Sequence, residues 1–178
     1  MTKLIGLFGV SGVGKTRLAA EVAERLPGVL HLQASQLLKQ ALGQSGEALR
    51  TSSSNTVEDN QLVLPRAFAA ALASAPHGSV VIDAHSVIDT DEGYVDVPLA
   101  AIAPLGLTHI LFLEADPDEI FRRRAGDARK RPERSAEQLG DYQNHAERTC
   151  RYYACELGLP YIALTATDAA VELERILR

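Results

Sequence analysis

Apolar residues fall along this chain in short runs, separated by stretches with helical spacing. Five runs have strand length: Lys3–Phe8, Val29–Gln33, Ser79–Asp83, Thr108–Glu114 and Leu159–Ala163. Most are almost continuously apolar, as expected of strands covered on both faces. After the first run, Leu18, Val22 and Leu26 recur at helical spacing over Thr16–Leu26, and Leu37, Leu38 and Leu42 predict a short helix over Ala34–Leu42. The polar stretch 43–56 reads as a mobile loop. Thr56-Val-Glu-Asp59 has the form of a capped helix start, and that helix should reach about Ala75 with a break near Leu64, because Pro65 cannot sit in a helix interior. Residues 85–98 mix Asp, Gly and Thr and read as a long loop, followed by a helical turn over Leu99–Ala103. Asp116-Pro-Asp-Glu119 opens the next helix with a cap, a first-turn proline and an acid. Ser135-Ala-Glu-Gln138 is a capping box for a helix to about Leu157, and Thr167 or Asp168 caps a last helix to Leu177. Strand and helix alternate throughout, which predicts a doubly wound parallel sheet with right-handed crossovers.

Composition narrows this only a little. At 178 residues, with no internal repeat or linker, residues 1–178 read as a single domain. A net charge of −5 argues against general nucleic-acid binding and leaves room for a local basic patch. No apolar run reaches membrane-spanning length, so no membrane partner is expected. The first strand begins within a few residues of Met1, which leaves no room for a signal peptide and points to the cytoplasm. Cys150 and Cys155 lie five apart on a helical pattern, on nearly opposite faces, and read as reduced thiols; no Cys/His cluster has zinc-ligand spacing.

Chemistry enters at residues 9–16, Gly-Val-Ser-Gly-Val-Gly-Lys-Thr, which fit the phosphate-loop pattern between a strand and a helix. Gly9, Gly12 and Gly14 allow a tight bend and close approach to an anion. Backbone N–H groups, including that of Val13, then converge on phosphate oxygens at a positive helix end. Lys15 can reach the β- and γ-phosphates of a nucleotide, and Thr16 can offer its hydroxyl to Mg²⁺.

Two further regions carry candidates. Asp83 ends an apolar strand, at the sheet edge where ligands collect; it can hold Mg²⁺ or orient an acceptor, or merely cap the next loop. His85 can contact substrate or pack locally. Residues 120–134 gather Arg122, Arg123, Arg124, Arg129, Lys130, Arg131 and Arg134 against Asp127 and Glu133. This stretch reads as an arginine-bearing lid over a triphosphate, with Arg123 and Lys130 the first to assign to plain solvated charge. Arg129 and Arg131 are expected to be exposed until a nucleotide binds.

Four stretches together resemble the archaeal-type adenylate kinases, a branch of the P-loop nucleoside monophosphate kinases: Gly9–Thr16; Val81–Ile88 with Gly93-Tyr94; Phe112–Pro117; and Arg122–Ser135. The resemblance implies a three-layer fold with a five-stranded parallel sheet and helices on both faces. It implies an acceptor region at about residues 34–75 and a lid at about 122–136. It implies ATP with Mg²⁺ as donor and a nucleoside monophosphate as acceptor. It makes Arg122, Arg129 and Arg131 lid arginines, acting with Lys15 and Asp83, and Arg50 the match to an acceptor-phosphate arginine. Where such lids often carry Arg-Asp this chain has Ala125-Gly126, and Thr51–Asn60 is the least similar stretch. Two alternatives stay open: a P-loop kinase of another small molecule, and an ATP-binding switch or slow ATPase that works with an RNA or protein partner.

Overall fold

A computed structural model describes residues 2–45, 48, 54–74, 78–128 and 131–178. Five strands form one parallel sheet: β1 (Leu4–Phe8), β2 (Val29–Gln33), β3 (Ser79–Asp83), β6 (His109–Glu114) and β7 (Tyr161–Thr165), in the order β2-β3-β1-β6-β7. β1 is central because it is the most apolar run: Ile5, Leu7 and Phe8 are fully buried, and its backbone is paired on both sides, Leu7 with Asp83 of β3 and with Leu111 of β6. A sixth and seventh strand, β4 (Val87–Thr90) and β5 (Gly93–Asp96), form a separate antiparallel hairpin. The expected loop over 85–98 is corrected by it. Its Val87 and Val95 are buried, while the Asp91-Glu92 turn and the Asp-rich composition disguise it in the sequence.

Among the described residues the α-helices with full bounds are α1 (Lys15–Arg25), α2 (Ala34–Leu42), α3 (Ser54–Gln61), α4 (Leu64–Ser74), α5 (Leu99–Ile102), α6 (Pro117–Ala125), α7 (Ala136–Leu157) and α8 (Ala169–Leu177). The break expected at Pro65 separates α3 from α4, and Pro65 sits in the first turn of the new helix, where its missing N–H costs nothing. α3 starts at Ser54, two residues before the expected cap, and β7 lies two residues beyond the expected run. Asp116 caps α6 by accepting from the N–H groups of Asp118 and Glu119, and Ser135 with Gln138 completes the capping box of α7. Asp168 stands at the head of α8 without a side-chain cap bond. Residues 46–47 and 49–53, most of the polar stretch expected to be mobile, lie outside the described residues.

Right-handed crossovers set the layers. β1 steps leftward to β2 through α1, so α1 lies on one face, where it packs with α8; β2 to β3, β3 to β6 and β6 to β7 step the other way, and put α2–α7 on the opposite face. Fold and layering are those of a P-loop kinase. β1 is therefore flanked by two strands whose chains leave on the far side of the sheet. A crevice opens at its C-terminal end, and the glycine-rich loop begins there. Among the described residues no helix is long and apolar enough to cross a membrane.

Candidate active site

The loop between Phe8 and α1 turns on two glycines for different reasons. Gly9 has φ of 149°, and a Cβ there would stand 2.6 Å from the Leu113 carbonyl oxygen, so only hydrogen lets the loop pass β6. Gly12 has φ of 93°, and its Cβ would stand 2.8 Å from Cγ of Arg124, so the loop and the arginine stem are in close contact. Val13 is buried and its N–H donates back to Val10 O at 3.3 Å, closing the turn. Gly14, in the left-handed region, is the last residue before Lys15 opens α1. No side chain caps α1, so its first N–H groups and its dipole face the loop's concavity.

Lys15 is buried, with only 5 % exposure, and its Nζ donates to Gly9 O at 2.7 Å and Val10 O at 3.1 Å. It lies 3.9 Å from Asp83 Oδ1. Burial brings its pKa down to about 8, against the upward pull of Asp83. Thr16 donates its hydroxyl proton to Asp83 Oδ2. Asp83 is itself buried and reaches this spot because parallel pairing in register with Leu7 sets the end of β3 beside the start of the loop. Thr16 and Asp83 thus place a hydroxyl and a carboxylate side by side, hard oxygen donors suited to Mg²⁺. No cluster of three or more His, Cys, Asp or Glu capable of holding a metal exists among the described residues.

His85 faces the loop: Nδ1 is 3.0 Å from Gly9 O and 3.5 Å from Lys15 Nζ. A carbonyl can only accept, so Nδ1 carries the proton and Nε2 holds the lone pair. Burial and then Lys15 hold the His85 pKa well below the ordinary histidine value, so the ring is neutral at neutral pH.

The basic stretch is sorted by helix phase. Arg122, expected to act on phosphate, is exposed, and its Nε donates at 3.2 Å to Asp118 O on its own helix; it is not brought to the loop. The next two residues are. Arg123, expected to be plain surface charge, donates from Nη1 to Val13 O at 2.7 Å and pairs with Glu119. Arg124 lies on Gly12 and pairs with Asp89 of the hairpin at 2.8 Å. A step of about 100° per residue decides which of three consecutive arginines meets the loop, and no sequence pattern gave that phase. Arg131 is not exposed as expected. Its side chain is 9 % accessible, with Nε donating to Ser11 Oγ at 2.9 Å and Nη2 to Asp127 at 2.6 Å. The physical reason is a ready partner: the loop hydroxyl accepts the guanidinium without any nucleotide. Arg134 reaches Thr90 O and Asp89 Oδ1, each at 3.0 Å. Arg124, Arg131 and Arg134 line a cavity of about 630 Å³ walled by Phe121 and Leu139. Arg50, Arg129 and Lys130 lie outside the described residues.

Comparison with known proteins agrees with this geometry. Residues 8–140 match the family model described as AAA domain. The adenylate kinase of Methanopyrus kandleri is 27 % identical over 166 residues, covering 89 % of this chain and 86 % of that protein. The adenylate kinase of Methanoculleus marisnigri is 27 % identical over 164 residues, covering 88 % and 85 %. Among solved structures, shikimate kinase from Bacteroides thetaiotaomicron superposes with a TM-score of 0.63 at 17 % identity over 98 % of each chain. Shikimate kinase from Acinetobacter baumannii, solved in complex with shikimate, gives 0.64 at 15 % identity over 99 % of this chain and 90 % of that one. At such identities the structural likeness is one of fold. The family match takes in the loop, the hairpin, the arginine stretch and most of the sheet, and the chain therefore belongs to the AAA domain family, as one of the P-loop kinases its sequence resembles.

Proposed function

We propose that this kinase moves the γ-phosphoryl group of ATP, taken as its Mg²⁺ complex, to a nucleoside monophosphate, in the manner of an adenylate kinase. The observation that carries this is the buried Lys15 ammonium, held within the loop's curve by two carbonyls and beside the Thr16–Asp83 pair. Thr16 and Asp83 would hold Mg²⁺, which would supply positive charge to the donor phosphates. Lys15 and the loop amides grip the donor phosphates, and Arg131, docked on Ser11 of the same loop, adds its charge beside them. With little covalent chemistry for the protein to do, the rate comes from alignment and from charge neutralised on the transferring group. Arg50 and Arg129 keep the roles the family resemblance gives them, at the acceptor phosphate and in the lid. Arg122 takes no part in this scheme. His85, neutral and bound to Gly9 O, braces the loop and leaves Nε2 free toward substrate. Two adenylate kinases covering most of the chain favour a nucleotide acceptor.

A second scheme has the same donor side and a small alcohol as acceptor, and rests on the fold shared with shikimate kinases. Release of ADP should be measured with ATP and Mg²⁺ alone, with each common nucleoside monophosphate, and with shikimate. One monophosphate, AMP first, is expected to raise turnover well above the ATP-only rate. Lys15→Ala should lower that rate by roughly two to three orders of magnitude while leaving the protein folded. Stimulation by shikimate alone would select the second scheme. An ATP-only rate unchanged by every acceptor would sink both.

A further inference from the structure

We propose that the outer edge of β2 is a homodimer interface, on which a second copy of this chain adds its own β2 antiparallel about His31 and continues the sheet across a two-fold axis. The inference is independent of the function proposed above and uses none of its residues.

The strand register leaves half of β2 without partners. Gly28 O accepts from the Ser79 N–H at 3.3 Å, and Val29 stands opposite Ser79. In a parallel ladder alternate residues turn both backbone groups toward the neighbour. Leu30 and Leu32 therefore serve β3, and Val29, His31 and Gln33 face outward. β2 is the first strand of the sheet, so no strand of this sheet lies there. Two outward groups are used locally: the Val29 N–H donates to Leu26 O at 3.1 Å, and Gln33, as the N-cap of α2, gives its C=O to the helix. What remains, in chain order, is Val29 C=O, His31 N–H, His31 C=O and Gln33 N–H, and no other described residue bonds them. This set is its own complement. With a second copy turned half a revolution about His31, each Val29 C=O meets the Gln33 N–H of the other copy, and the two His31 residues exchange both bonds. A row of donors and acceptors cut symmetrically about one residue fits a second copy better than an arbitrary peptide.

Charge selects the same edge. Each copy carries a net charge of −5, so two copies meet with least repulsion where local charge is absent. Val29–Gln33 holds no charged residue and no proline, and burial lowers the His31 pKa, so that the ring is neutral at neutral pH. A recess of about 420 Å³ beside the strand is walled by Gln36 and Gln40 of α2 and by Ala71 and Ser74 of α4, again uncharged. Every residue of β2 is half-buried, whereas β1, β3 and β6 are buried over most of their length. The opposite edge is guarded: Arg151 lies over the Tyr161 ring of β7 at 4.3 Å and pairs with Glu147. A bare, uncharged edge is a template for another strand, and proteins cover or charge the edges they do not use. One short strand is small for a stable interface. An axis through His31 normal to the sheet keeps both α2 helices on one face, where Gln36 and Gln40 of the two copies add neutral amide contacts beside the strands.

The test is sedimentation velocity of the full chain without nucleotide, from about 1 to 500 µM, paired with residue-resolved amide exchange at both ends of that range. A reversible dimer with a dissociation constant in the micromolar range is expected, the strength of an interface near the lower size limit. The His31 and Gln33 N–H groups should exchange roughly tenfold or more slowly at the high concentration, while those of Leu30 and Leu32, already bonded to β3, should not change. This measurement needs no variant. His31→Lys sets two like charges face to face at the axis and should abolish the dimer. Gln36→Lys, at an exposed position, should weaken it by roughly threefold or more without changing the melting of the dilute protein. A single-chain mass at every concentration overturns the inference. If the two N–H groups are then free, the edge is left to a foreign peptide; if they are protected throughout, the chain covers its own edge. A dimer that forms without slowing exchange at His31 and Gln33 also overturns it, since the contact would lie elsewhere, and so does a folded His31→Lys protein that still dimerises.

Discussion

Lys15 illustrates how one buried charge links stability to ligand binding. Burial puts its folded pKa at about 8, below its ordinary value of 10.5. The folded chain therefore loses this proton first, and between those two values the unfolded chain binds more protons. In that window this group makes the ligand-free protein more stable as pH rises. Binding has the opposite trend, because a phosphate needs the ammonium. ATP affinity is expected to fall above pH 8, by at most roughly tenfold per pH unit, and binding at that pH should take up a proton, measurable by calorimetry in buffers of different ionisation enthalpy. Lys15→Arg does not titrate in this range, so its ATP affinity should be lower overall and flat with pH. A wild-type affinity that is flat from pH 7 to 9, with no proton uptake, would show that Lys15 does not meet the phosphates.

At the scale of elements, the hairpin is the part that organises the rest of the site. It is clipped to α7 by buried bonds: Tyr142 donates to Val87 O at 2.8 Å, Ser86 Oγ to Ala146 O at 2.8 Å, and Tyr153 to Val97 O. Tyr94 of the hairpin also stacks on Tyr142, with ring centroids 4.8 Å apart. An isolated two-stranded ribbon is marginal in water, so these clips are what hold Asp89 where Arg124 and Arg134 meet it. Tyr153 is buried and makes no bond to the loop. Tyr153→Phe should therefore cost about 1–3 kcal/mol in denaturant unfolding by leaving a carbonyl under-bonded, with ATP affinity of the folded protein unchanged. A loss of affinity as large as the loss of stability would mean that the hairpin and the loop move as one unit.

For the whole molecule, the order β2-β3-β1-β6-β7 brings residues distant in the chain to one edge. Ser11, Lys15, Asp83, His85, Asp89, Arg124 and Arg131 all come from loops, helix ends, a strand end or the hairpin, beside the C-terminal ends of β1, β3 and β6. A ligand bound there bridges elements that come from distant parts of the chain. ATP with Mg²⁺ at about 100 times its dissociation constant should add about 2.7 kcal/mol, raising the melting temperature by roughly 5–10 °C for a protein of this size. The rise should vanish in Lys15→Ala. A rise that survives in that variant would place the nucleotide away from the loop.

What the sequence by itself determined is what lies close together along the chain. The phosphate loop is eight consecutive residues, so glycine spacing, the lysine and the threonine were all legible. So were the parallel strands, whose continuous apolar runs have no stable place except between two layers of helices, and Asp83, which ends one of them. The helix caps at Asp116 and Ser135 were legible because a cap acts within three residues. Tertiary structure alone decided the contacts between distant residues. Asp89 and Arg124 are 35 positions apart, and Ser11 and Arg131 are 120 apart. Nothing local marks Asp89 as buried or tells Arg124 from Arg122. Their difference is the phase of one helix against a loop, set by sheet pairing and by how α6 packs on α7. The sequence therefore marked the loop, and the fold chose which of its many arginines lie against it.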